Sequence, residues 1–248
     1  MGNIDWLTAR PVAHRGLHDA RAGVIENTPQ AFEAAIAARY GIECDVQISA
    51  DGEAMVHHDD ALGRLTEGSG PLATVSAAEL QKVKFKNGDG RIIALSALCD
   101  LVAGRVPLIV EIKSRFDRDL RLTQRVTEIL GSYAGPAAAM SFDPTVVAAL
   151  RNSAPKLTRG IVAEHGYGHH EWSRLTPAQK RRLAYLLHWP TTRPDFVAYG
   201  AHDLPSLAPA VARWVLGRPV LSWTIRSVNE MRNVKFWVDQ VIFEGFRP

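Results

Sequence analysis

The sequence predicts an α/β protein built on a parallel sheet, and three observations carry that prediction. About eight short apolar segments alternate with stretches of helical period from residue 12 to the C-terminus. Some of these segments, such as LIV at 108–110 and VIF at 241–243, are unbroken apolar runs, which suits parallel strands covered on both faces. The chain has 248 residues, near the length at which eight βα units close into a barrel. Alternation alone suits such a barrel and an open, doubly wound sheet nearly equally.

Each element has a local reason. Val12-Ala13 ends a first strand that opens into His14-Arg15-Gly16. Thr28 takes the N-cap position and Pro29 the first helical position ahead of the periodic run AFEAAIAARY. Residues 42–47 and 53–58 read as strands joined through a turn ending in Asp51-Gly52. Residues 59–92 are turn-rich with one capped helical stretch, too little for a βα unit, and read as an excursion. A helix over 94–103, closed by Gly104, leads to a buried strand at 106–113 and a helix over 117–130. Further strands follow at 137–142, 158–163, 196–200, 220–225 and 240–244. Between them lie a helix capped by Asp143-Pro144 that runs to about residue 152, a basic amphipathic helix at 177–187, and helical patterns at 204–216 and 227–236.

Composition narrows the functional classes. Hydrophobic residues make up 46% of the chain, enough for a sizeable core, and the net charge is only +3. The basic residues lack an interleaved aromatic platform, which argues against nucleic acid as a partner. Cys44 and Cys99 give no disulfide framework. The opening MGNIDWLTAR has neither a basic start nor an apolar core, and no stretch approaches the roughly 20 apolar residues that span a bilayer. A cytoplasmic protein without stable membrane anchoring is the expectation; no feature speaks to its oligomeric state.

The chemistry concentrates in residues 12–60. Glu43 and Asp45 are two apart in a strand, so they project to one face, while Cys44 points the other way, toward packing. Such a carboxylate pair is either a solvated edge face or a site that a cation holds together. Glu111 and Lys113 repeat the spacing, as a site pair or a buried structural one. An imidazole beside a guanidinium and a glycine, as in His14-Arg15-Gly16, suits an anionic, phosphate-bearing ligand. Capping accounts for Thr28 and Pro29 but not for Glu26 and Asn27. The histidines of AEHGYGHHEW, His165, His169 and His170, are loosely spaced; they read as polar loop residues rather than a second metal site.

In order, HRG, ENTPQAF, IECDV, HHDDALGRLTEGSG, LIVEIK, MSFDP and LSWTI resemble the glycerophosphodiester phosphodiesterase family from about residue 10 to the C-terminus. The resemblance implies a TIM (β/α)8 barrel over residues 9–248, of the phospholipase C-like phosphodiesterase type. Residues 59–92 would be a small insertion after its second strand. It implies Glu43, Asp45 and Glu111 as ligands of one divalent cation, Mg²⁺ or Ca²⁺ for an all-carboxylate set. It implies His14 and His58 as general acid and base, with Asp59 orienting His58 and His57 facing away. Arg15 and Lys113 would neutralise phosphoryl charge, and Phe142 and Trp223 would wall the glycerol end.

The implied reaction is metal-assisted hydrolysis of a small glycerophosphodiester to glycerol 3-phosphate and an alcohol. The neighbouring glycerol hydroxyl would attack phosphorus to form a cyclic phosphate that water then opens. Three departures stand out: IIALSAL where a proline and an acidic residue are usual, Ile225-Arg226 where an asparagine follows Trp-Thr, and Glu244 in place of aspartate. None of them is expected to touch the metal site or the histidines. Two alternatives are a related barrel phospholipase acting on lysophospholipids or phosphoinositides, which should favour an exposed apolar rim, and a non-catalytic phosphodiester binder.

Overall fold

The structure, a computed structural model, describes residues 4–169 and 172–248. Eight of its strands are parallel: β1 (Val12–Ala13), β2 (Gly41–Ile48), β6 (Leu108–Ile112), β7 (Ala137–Ser141), β8 (Thr158–Ala163), β9 (Phe196–Gly200), β10 (Val220–Ile225) and β11 (Gln240–Phe243). Each pairs with the next in that order, and β1 pairs with both β11 and β2, which closes the ring. The choice between barrel and open sheet therefore falls to the TIM barrel. Helices α1 (Pro29–Ala37), α3 (Leu95–Val102), α4 (Arg121–Ser132), α5 (Pro144–Ser153), α6 (Pro177–Ala184), α7 (Trp189–Thr192), α8 (Leu207–Trp214) and α9 (Val228–Val234) lie between strands.

Strand parity divides the core in two. Ile42, Cys44, Val46, Leu108, Val110 and Ile112 point outward into the layer between sheet and helices. Val12, Ile109, Met140, Val162, Phe196, Leu221 and Ile242 point inward and fill the lower lumen, with Trp6 and Leu7 packed against them. Gly160 belongs to this inward row, and its missing side chain makes room for the ring of Phe196.

The excursion is built locally. The short strand β3 (Ala54–Val56) returns antiparallel to β2 and stays outside the parallel ring. After it come the paired β4 (Ala61–Leu62) and β5 (Gly70–Pro71), then α2 (Ala77–Leu80), whose Ser76 and Glu79 form a capping box. Met55, Leu72, Leu80, Phe85 and Ile92 give this region an apolar cluster distinct from the barrel's.

At three helix ends the local structure departs from the sequence reading in an informative way. Thr28 does sit at the N-cap of α1, but its hydroxyl donates to the Ile25 carbonyl at 2.7 Å instead of accepting from the helix. Ala103, with φ of 47°, takes the left-handed cap of α3 ahead of Gly104. Helix α4 begins at Arg121, because Asp117 and Asp119 accept from the backbone N–H groups of Asp119 and Arg121 and hold the chain in turns.

Candidate active site

The inward row that is apolar at the floor turns polar at the C-terminal ends of the strands. Glu43 and Asp45 alternate with outward Ile42, Cys44 and Val46, and Glu111 follows inward Ile109, so all three carboxylates enter the lumen. Asp45 and Glu111 are also register partners across β2 and β6. Glu43 and Asp45 are each 1% exposed and Glu111 8%, and one ligand atom from each lies within 4.8 Å of the others. These are the three residues expected to form a metal site, and the solvated-edge alternative does not hold.

The cluster is unevenly neutralised. Lys113 Nζ lies 2.7 Å from Asp45 Oδ1 and 2.6 Å from Glu111 Oε1. Arg15 Nε lies 3.1 Å from Asp45 Oδ2, to which the Asn27 amide donates at 2.9 Å. Burial would raise Asp45, but Lys113 and Arg15 hold it well below the usual carboxylate range. Burial would likewise lower Lys113, whereas Asp45 and Glu111 hold it up. Glu43 receives only the Arg15 backbone N–H, at 3.0 Å on Oε2, and its Oε1 is buried with no hydrogen-bond partner among the described residues. Burial, reinforced by Asp45 and Glu111, pushes Glu43 well above its ordinary value. An unsatisfied oxygen in an all-carboxylate set fits a divalent, oxygen-seeking cation.

The Arg15 N–H reaches Glu43 because Arg15 takes φ of 56°, followed by Gly16 at 79°. A Cβ on Gly16 would come within 2.8 Å of the Ala31 carbonyl carbon, so the turn needs glycine. Asn27, with φ of 57°, donates its N–H to the Arg15 carbonyl at 2.9 Å and pins the turn from the other side. This gives Asn27 and Glu26 the role that capping left open. Glu26 Oε1 accepts from Arg15 at 2.8 Å and from Arg64 at 2.6 Å.

Two imidazoles flank the carboxylates. His14 Nε2 lies 4.0 Å from Glu43 Oε2, and its Nδ1 is hydrogen-bonded to Glu244 Oε2 at 2.6 Å. Burial lowers the His14 pKa against the opposing pull of Glu244. His58 Nδ1 is 2.8 Å from Asp59 Oδ1, and Arg64 donates to Asp59 Oδ2 at 2.6 Å. Against its partial burial, His58 and Arg64 hold Asp59 well below the usual range. Gln47 fixes the His58 carbonyl at 2.9 Å, while His57 is buried.

The expectation that the three departures touch neither metal site nor histidines fails at Glu244. Ala13 pairs with Phe243 across β1 and β11, so His14 and Glu244 come next in register and meet. Arg226, the second departure, donates to the other oxygen of Glu244 at 2.8 Å. His18 Nε2 stands 3.6 Å from Glu244 Oε2, the oxygen that pairs with His14. Burial would raise Glu244, but these partners, His14 first, hold it far below the ordinary carboxylate value. The readable signal was that residues following the first and last strands must be neighbours once a barrel closes.

A groove of about 680 Å³ leads from His58, Glu111 and Lys113 past Phe142 and Trp172. Phe142 packs edge-on against Trp223 with centroids 5.4 Å apart and lies 4.8 Å from Trp172, which the sequence reading missed. The Trp223 Nε1–H is buried without a hydrogen-bond partner among the described residues. His165 packs on Tyr185 and its backbone N–H donates to Asp203 Oδ2 at 2.6 Å; His170 lies outside the described residues. Among the described residues, Glu43, Asp45 and Glu111 form the group with metal-holding geometry. No helix there is long and apolar enough to cross a membrane.

The glycerophosphoryl diester phosphodiesterase family model matches residues 14–244, from the first of these histidines to its carboxylate partner. The chain belongs to this family. It is 30% identical over 170 residues to a probable glycerophosphodiester phosphodiesterase 1 of Mycobacterium tuberculosis, a match covering 59% of this chain and 61% of the relative. This chain thus spans 61% of that protein's length. It is 27% identical over 242 residues to a glycerophosphodiester phosphodiesterase of Caldanaerobacter subterraneus, covering 93% and 92% of the two chains. Among family folds, that of Thermotoga maritima superposes with a TM-score of 0.71 at 25% identity over 94% of both chains. A phosphodiesterase of Oleispira antarctica, solved with its product sn-glycerol-3-phosphate, superposes at 0.77 and 18% identity over 96% and 94%.

Proposed function

We propose that this protein hydrolyses small glycerophosphodiesters to glycerol 3-phosphate and an alcohol. The observation that carries the reading is two carboxylate-paired imidazoles, His14 on Glu244 and His58 on Asp59, beside three buried lumen carboxylates. The product bound to the Oleispira antarctica phosphodiesterase supports glycerol 3-phosphate as the product class here.

Glu43, Asp45 and Glu111 would hold one divalent cation, Mg²⁺ or Ca²⁺. When bound, such an ion supplies positive charge to the phosphoryl oxygens. One histidine takes the proton of the neighbouring glycerol hydroxyl as its oxygen attacks phosphorus. The other gives a proton to the departing alkoxide, and the cyclic phosphate formed is opened by water with the two roles exchanged. Glu244 and Asp59 each hold Nδ1 of their histidine, leaving Nε2 to work on substrate. Arg15 and Lys113 take up phosphoryl charge; in the structure both are engaged with carboxylates. Phe142 and Trp223 wall the glycerol end.

The test is a coupled assay for glycerol 3-phosphate release from glycerophosphocholine and glycerophosphoethanolamine by chelator-stripped enzyme, with Mg²⁺, Ca²⁺ or Mn²⁺ added back. Release that requires metal and disappears in His14→Ala and His58→Ala is the expected result. Folded protein that releases none with any metal would rule the reading out.

A further inference from the structure

The outer face of α8 is apolar where a barrel helix ordinarily meets water. Its inner face is already satisfied, with Ala208 and Ala212 buried in the core. Outward, Leu207, Trp214 and Val215 are 71%, 51% and 73% exposed, and Phe236, just past α9, is 68% exposed. Trp214 packs against Phe236 and Trp237 with ring centroids 5.5 and 5.3 Å apart, so one apolar surface spans both helices. Beside it, a groove of about 370 Å³ between α8 and the α6–α7 segment is lined by Leu187, Val211 and Leu216 together with Arg181. A helix that is apolar all round needs a second covering layer.

Charge selects the layer. Residues 171–239 hold ten Lys or Arg against five Asp or Glu, a net of +5, while the rest of the chain is net −2, within the total of +3. The basic groups border the apolar surface: Arg181 lines the groove, Arg213, ion-paired with Asp239 at 2.9 Å, stands 5.9 Å over the Trp214 ring, and exposed Lys235 adjoins Phe236. A second copy docking through the same surface would bring two faces of one sign together. An anionic bilayer accepts aromatic and aliphatic side chains at its interface and pairs the basic groups with lipid phosphates.

We propose that the flank formed by α6, α8 and the end of α9 docks reversibly on an anionic phospholipid bilayer. The Tyr185 end of the groove packs against His165 in the loop after β8, at the same end of the barrel as the candidate active site.

The experiment is co-sedimentation of the full chain with vesicles of phosphatidylcholine alone or mixed with phosphatidylglycerol. It compares wild type, Leu207→Ser/Val215→Ser/Phe236→Ser and Arg181→Glu/Lys235→Glu. Thermal unfolding serves as the folding control, so the outcome does not depend on the proposed reaction. Wild type should sediment with the mixed vesicles and not with phosphatidylcholine. Each basic group near such a surface is worth about fivefold in partitioning, so the charge reversal should lower it at least tenfold; the serine variant should lower it as much. No binding to mixed vesicles at low salt, or equal binding to both, would overturn the proposal. Light scattering that shows a dimer dissolved by the serine variant would assign the face to a second copy instead.

Discussion

The floor and the mouth of the barrel lumen are built from the same inward rows and do opposite things. At the floor, Ile109, Met140, Phe196 and Leu221 interlock, and Gly160 is the gap that lets Phe196 fit. Two residues above Ile109 the same row places Glu111, beside Glu43 and Asp45, where burial and mutual repulsion work against folding. The lesson is that stability and chemistry are separated by height along one set of strands. The floor holds the barrel closed and allows the mouth to keep a charge cluster that is unfavourable on its own.

The sharpest way to break the comparison is at the mouth. Glu43→Ala is expected to lower kcat about a thousandfold or more while leaving the melting temperature equal or higher in chelator, because a repelling buried charge is removed. Steady-state kinetics and calorimetry on the same preparation check both halves.

Outside the lumen, His188 is 1% exposed and burial lowers its pKa to about 4 from 6.5. Below pH 6.5 the unfolded chain binds a proton that the folded one refuses. This histidine therefore withdraws stability as pH falls, by about 3 kcal/mol on reaching pH 4. Urea unfolding from pH 7 to 4 should be less pH-dependent in His188→Gln, by about one proton.

At the floor, Gly160→Ala would drive a methyl into the Phe196 ring. A loss of about 1–3 kcal/mol in stability with unchanged kcat at permissive temperature is expected. A matching loss of kcat would show that floor and mouth are coupled. A smaller effect is expected at Glu244, the residue that ties β11 to the mouth. Glu244→Gln keeps the shape but not the charge facing His14 and should lower kcat about tenfold with KM little changed. Arg226→Gln, which leaves the carboxylate its bond to His14, should cost less.

Much of the mouth was legible because strand parity is a property of sequence alone. Glu43 with Asp45, and Glu111 with Lys113, had to share faces, and the outward Cys44 followed from the same rule. What could not be read came from closure and from side-chain reach. Glu244 meets His14 across 230 residues only because β1 pairs with β11, and Arg64 crosses from the excursion to hold Glu26 and Asp59. The start of α4 slipped where the Asp119 side chain bonds the backbone locally, whereas at Thr28 the boundary held and only the hydroxyl turns back to Ile25 instead of capping. The flank surface on α8 escaped notice because its apolar period reads like any buried helix until the barrel shows which side is already covered.

The central claim, that the buried carboxylates at the mouth are held for a divalent cation, is tested most directly by calorimetric titration. Mg²⁺ or Ca²⁺ would be added to chelator-treated protein and to Glu43→Gln, with melting temperatures recorded before and after. One ion per chain and a rise in melting temperature are expected for wild type. No binding is expected for Glu43→Gln, which should itself melt about 2–4 °C above metal-free wild type. Wild type that binds no ion, with Glu43→Gln no more stable than it, would contradict the account.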